Sequence, residues 1–116
     1  MNARERQLLE RIIQYCEQIA KTREFFGDDL AIFADNFVYQ NACGMCIIQI
    51  GELANKISQE TRVAIPSIPW PLIRGMRNMF AHDYGSMDVE QTWATIRDDI
   101  PVLKTICERY LNSEQQ

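Results

Sequence analysis

The side chains that phosphoryl chemistry uses gather in one stretch: Arg74, Arg77, Asn78, His82, Asp83 and Tyr84, followed by Gly85. His82 is the only histidine. An imidazole titrates near neutrality, so it can take a proton and return one. A guanidinium offers phosphate a planar fork of donors. Arg77 and His82 are five residues apart, about 140° around an ideal helix. They converge only if the helix loosens near His82, which Gly85 allows. Asn78 lies four before His82, on the same face, where its amide can hold the ring. Tyr84 lies seven after Arg77, close to the same face. Arg74, three before Arg77, either widens a phosphate patch or lies solvated on the surface. Arg and His without a metal-binding carboxylate cluster suit metal-independent cleavage of RNA. There the 2′-hydroxyl is the internal nucleophile and cations stabilise the oxyanion. Such a reaction wants a base and an acid, and one chain supplies one His. Two chains about a two-fold axis would supply two His and two Arg to one cleft, so a nucleolytic reading implies a homodimer. The bland alternative is a His favoured by a helix C-terminus and an Arg paired with an acid.

Other residues have structural readings first. Cys43 and Cys46 form a C-x-x-C, but they fall mid-helix, in phase with Ile47 and Ile50. Core packing explains them better than zinc, which needs about four ligands, or a redox pair, which favours a helix start. Trp70 and Trp93 either stack on bases or anchor the core, and the core is favoured. Glu52 stands in an apolar stretch, suited to pairing with an Arg across the bundle. Asp83 either orients His82 or faces water.

The elements that must hold these residues are helices. Residues 4–24 place Leu8, Ile12, Tyr15, Cys16 and Ile19 on one stripe, and Gly27 breaks the pattern. Asp28 is positioned to cap a short segment holding Leu30, Ile32 and Phe33. Residues 35–59 read as one helix of roughly 37 Å, in which Gly44 and Gly51 suggest a closely packed neighbour. A loop follows over 61–71, with Pro66, Pro69 and Pro71. The next helix spans about 70–82, with Pro69 and Pro71 in its first turn. Asp88 caps a helix with Val89, Trp93 and Ile96. Asp98 or Asp99 caps a last one, with Pro101 in its first turn and Leu103, Ile106, Cys107, Tyr110 and Leu111 on its apolar face. The polar tail 112–116 is expected to fray. The whole is an all-α bundle of four to five helices in a single domain over residues 1–116.

Composition bounds the partners. The 116 residues carry 12 Lys and Arg against 16 Asp and Glu, a net charge of -4. That argues against a surface that coats nucleic acid non-specifically. The charge is uneven. Residues 27–55 carry Asp28, Asp29, Asp35 and Glu52 and no Lys or Arg. Residues 56–82 carry Lys56, Arg62, Arg74 and Arg77 against Glu60 alone. No signal core or membrane-length apolar run is present, and the four cysteines sit in apolar patterns. A cytoplasmic protein with reduced thiols is expected.

The stretch Arg77-Asn78-Met79-Phe80-Ala81-His82-Asp83-Tyr84 resembles the Arg-x-x-x-x-His-x-Tyr signature of HepT-like toxins in the HEPN superfamily. Ile68-Pro69-Trp70, Ile73-Arg74-Gly75-Met76, Trp93 and Asp98-Asp99-Ile100-Pro101 resemble its flanking segments, and Ile50-Gly51-Glu52-Leu53-Ala54 its long second helix. The likeness covers about 5–111. It implies a homodimeric HEPN bundle and a metal-independent endoribonuclease toxin that needs no cofactor and acts on cellular RNA such as tRNA or mRNA. By the same resemblance Arg77 and His82 are catalytic and Asn78 supports them. Tyr84 matches the tyrosine that a partner nucleotidyltransferase antitoxin adenylylates, as in HepT/MntA pairs. AMP there would place an anion beside Arg77, where RNA phosphate must bind.

Two other readings use the same residues. A non-catalytic module would bind a nucleotidyltransferase or a nucleotide in the Arg/His cleft. A purely structural helical dimer would leave Arg77, His82 and Tyr84 away from any cleft.

Overall fold

The computed structural model describes residues 1–71, 73–75 and 88–114, and every regular element among them is helical. Helix α1 spans Ala3–Phe26, capped by Asn2, whose side chain accepts from Glu5 N at 2.8 Å. It ends at Gly27, whose φ of 121° favours glycine. A Cβ there would lie 2.7 Å from Ile32 Cδ1. Helix α2 (Leu30–Ala34) is capped by Asp29, not by Asp28 as the sequence suggests. The extended backbone at Asp29 suits a cap. Past the Gly27 turn, Asp28 instead faces the end of α1, where Arg23 Nη2 donates to its Oδ1 at 2.8 Å.

Helix α3 spans Phe37–Lys56, capped by Asn36 through Val38 N and Tyr39 N. It is shorter than the 35–59 expected, because the backbone turns extended at Ile57 to bury that side chain. Ser58 then caps a separate helix, α4 (Gln59–Ala64), where the sequence reading has the end of α3 and a loop. Arg62 Nη2 donates to Ala54 O, which also accepts from Ile57 N, and to Asn55 O, at 3.1 and 3.2 Å, so that its guanidinium closes the end of α3.

Helix α1 lies antiparallel to α3 and to the last helix. Phe26 stacks on Tyr39 at one end, and at the other Glu5 accepts from Ser58 N at 2.8 Å. Both Gly44 and Gly51 are buried on α3. Leu9, Ile12, Ile19, Ile47, Ile50 and Ile96 form the centre of the core.

Glu5 is a buried carboxylate with a structural duty. Burial pushes its pKa up, but hydrogen bonds from Ser58 and Thr61, with Arg4 nearby, outweigh that and hold it below the usual carboxylate value. A folded pKa below the unfolded one stabilises at neutral pH, and the gain is lost as pH falls through the folded value. Glu5→Gln is therefore expected to destabilise by about 1 kcal/mol at pH 7. Melts of the two proteins should converge below about pH 4. A gap that does not change with pH would show that the charge contributes nothing.

The closing helices are continuous. Helix α5 (Val89–Ala94) passes through a π-helical turn, Thr95–Asp99, into α6 (Ile100–Glu114). The sequence reading places a break and an Asp98 or Asp99 cap there, and the structure corrects it. In a regular helix the Pro101 ring would meet the Arg97 carbonyl. The widened turn carries the chain past it, with Ile100 N bonding Thr95 O. Asp98 is held by Arg97, at 2.9 Å to both of its oxygens. Helix α6 continues over Asn112–Glu114, where fraying is expected from the sequence. Ser113 Oγ donates to Tyr110 O at 2.8 Å, and the Met1 amino group lies 3.7 Å from Glu114. No helix among the described residues is long and apolar enough to cross a membrane.

Candidate functional site

Arg77, Asn78, His82, Asp83 and Tyr84 lie outside the described residues. What the structure describes is the frame that leads into and out of them.

On the entry side the proline-rich loop is fastened to the core. Ile65 and Ile68 are buried, and Ile68 N bonds Ile65 O at 3.2 Å. The Trp70 indole N–H also donates to Ile65 O, at 3.3 Å. Helix begins at residue 70, and Ile73 N reaches Pro69 O at 3.1 Å. Pro69 therefore stands at the cap, and Pro71 in the first turn, where a missing N–H is harmless. Ile73 is buried and lines an apolar cleft with Ile100, Leu103 and Ile106. Arg74 is exposed beside it. Gly75 has open space where a Cβ would stand. Of the residues proposed from sequence for phosphate contact, Arg74 is thus the one described, and its guanidinium is on the surface.

On the exit side Asp88 caps α5 by accepting from Gln91 N at 3.1 Å. Trp93 packs against Phe33 and Tyr39, with ring centroids 5.4 and 6.1 Å away. The Arg23 guanidinium lies 5.8 Å from the centre of its ring. Both tryptophans are buried, which makes them anchors and removes them as platforms for bases. Arg23 is the residue that sequence reasoning passes over. Its distance from Trp93 along the chain leaves no local signal, although Asp28 five residues on is a visible partner. Glu52 is half-buried on α3.

The cysteines belong to packing. All four are free and buried. Burial, with a neighbouring thiol or carboxylate adding to it, pushes Cys16, Cys43 and Cys107 up to about 12, and burial raises Cys46 too. A thiolate is the reactive form, so a thiol-specific disulfide reagent at about pH 8 is expected to leave the native thiols unmodified and to titrate all four after unfolding. Fast native labelling of Cys43 or Cys46 would instead mark a redox pair. Among the described residues no group of His, Cys, Asp and Glu could hold a metal ion.

An all-α bundle that carries an Arg-x-x-x-x-His-x-Tyr stretch between two core-anchored elements falls in the HEPN class of helical domains. The profile of the ribonuclease HepT-like family matches residues 12–110, and the chain belongs to that family. Named relatives agree. "Probable ribonuclease HepT" of Thermococcus cleftensis is 32% identical over 95 residues, covering 78% of this chain and 86% of that protein. "Putative RNase TTE0752" of Caldanaerobacter subterraneus subsp. tengcongensis is 29% identical over 110 residues, covering 95% and 96%. "Putative RNase MJ1216" of Methanocaldococcus jannaschii is 30% identical over 95 residues, covering 74% and 78%. No solved structure matches the chain.

Proposed function

We propose that this chain is a metal-independent endoribonuclease, active as a homodimer, and the toxin of a toxin–antitoxin pair. The observation that carries the reading is the family match over 12–110, which spans the Arg77–Tyr84 stretch together with both of its anchors. In the proposed reaction a base, His82 of one copy, removes the 2′-hydroxyl proton. The 2′-oxygen bonds to phosphorus, and the bond from phosphorus to the 5′-oxygen breaks. His82 of the other copy returns a proton to that leaving oxygen, leaving a cyclic phosphate and a 5′-hydroxyl. Arg77 stabilises the charge that gathers on the phosphorane oxygens. Asn78 orients the imidazole, and Arg74 holds a flanking phosphate. The purified protein is expected to cleave RNA in the presence of a chelator. RNA left intact at every pH and with every added metal, while a nucleotidyltransferase partner still binds, would favour the non-catalytic module.

Control is proposed to act at Tyr84. Its phenol oxygen would attack the α-phosphorus of ATP in a partner nucleotidyltransferase, forming a Tyr–O–P bond and releasing pyrophosphate. The added anion would occupy Arg77. Intact mass after co-expression with a small nucleotidyltransferase should rise by one or more AMP units, and Tyr84→Phe should abolish the gain. A gain retained by Tyr84→Phe would move the modification elsewhere.

A further inference from the structure

One end of the bundle, where α1 closes and α3 begins, presents large apolar side chains to solvent. Phe25 is 81% exposed, Phe37 74%, Val38 50% and Ile32 41%. They surround one junction. Tyr39 Oη donates to Gly27 O at 3.1 Å. Phe26 stacks on Tyr39, and Phe25 stands edge-on to Phe26 with centroids 4.9 Å apart. Ile32 lies against Gly27. Phe37 and Val38 immediately precede Tyr39. Single exposed apolar residues are ordinary, but a group of them at one place marks an interaction surface.

Among the described residues the charge around that junction is predominantly negative. Glu24 comes from α1, Asp28 and Asp29 from the turn before α2, Asp35 from the turn after it, and Glu90 from α5, which packs on α2. Three cations among the described residues lie close by: Arg23 is paired with Asp28 and Arg97 with Asp98, which leaves Lys21, one turn before Phe25, against the remaining carboxylates. We infer that this end docks a basic, amphipathic segment of a partner protein, whose apolar side chains sit on Phe25, Ile32, Phe37 and Val38 while its Lys or Arg residues face the carboxylates. A second copy would set like charge against like. The same carboxylates repel RNA and anionic lipid. The surface is independent of the nucleolytic reading.

The test uses the full chain and two designed helical peptides with one apolar pattern, one Leu/Lys and one Leu/Glu. The Leu/Lys peptide is expected to bind and to shift the backbone amide resonances of residues around 25, 32, 37 and 38. Phe25→Ser with Phe37→Ser should weaken binding by at least about tenfold. Glu24→Lys with Asp35→Lys should weaken it most at low salt. Melting curves should show both double variants folded. The inference is overturned if the Leu/Lys peptide does not bind, if the Leu/Glu peptide binds as tightly, or if either double variant binds like the wild type. It is also overturned if the Phe25/Phe37 variant sediments as a monomer where the wild type is a dimer, which would assign the face to a second copy.

Discussion

His82→Ala is expected to lower the rate of RNA cleavage by about 10²–10⁴-fold, the usual contribution of a positioned acid or base. The loss should fall on kcat and leave KM close to wild type, because the imidazole moves protons in the transition state and adds little to ground-state binding. Arg77→Ala should remove about 10²–10³-fold, the scale for losing one donor to a developing oxyanion. It should also weaken RNA binding, since a guanidinium meets phosphate before the reaction as well as during it. Helicity and thermal midpoint should stay near wild type for both variants. The core anchors on either side of the stretch, Trp70 with Ile73 and Trp93, are untouched by either change. Equal cleavage by the wild type and His82→Ala would sink the catalytic assignment whatever the family.

Much of this architecture was legible in the sequence because apolar periodicity is a local signal. The stripe from Leu8 to Ile19 and the repeat from Cys43 to Ala54 each mark a helix, and each is buried. Gly27 and Asp88 mark ends for equally local reasons, a positive φ and a carboxylate that accepts from Gln91 N. Elsewhere the deciding interactions are long-range. Whether Asp28 or Asp29 caps α2 depends on where Arg23 lies, and whether residues 57–59 continue α3 depends on Glu5, more than fifty residues earlier. The π turn before Pro101 follows from keeping Ile96, Ile100 and Leu103 on one buried face, which a broken helix would forfeit. For the candidate site, residue types and spacing suggest a chemistry, and the structure adds the two anchors and the exposure of Arg74, while Arg77, Asn78, His82 and Tyr84 lie outside the described residues.

Trp93→Ala is expected to have the largest effect on stability, about 3–5 kcal/mol for a buried aromatic against a total of about 5–15 kcal/mol for a domain. Its ring is 4% exposed and meets Phe33 and Tyr39 on two other helices, with Arg23 near its ring. Truncation would leave a cavity at the place where α1, α2, α3 and α5 converge. It would also strand the Arg23 guanidinium with Asp28 alone. Because Trp93 stands five residues after Asp88, the same loss would loosen the exit from the Arg77–Tyr84 stretch. Cleavage should therefore fall together with stability, and cooling or a stabilising osmolyte should restore part of it. No such rescue is expected for His82→Ala, whose defect is chemical. Trp93→Phe keeps most of the apolar area and should recover most of the lost stability. A Trp93→Ala protein that melts within about 1 kcal/mol of wild type would show that the site collapses around the smaller side chain. The exit would then be held by the Asp88 cap and the packing of α6.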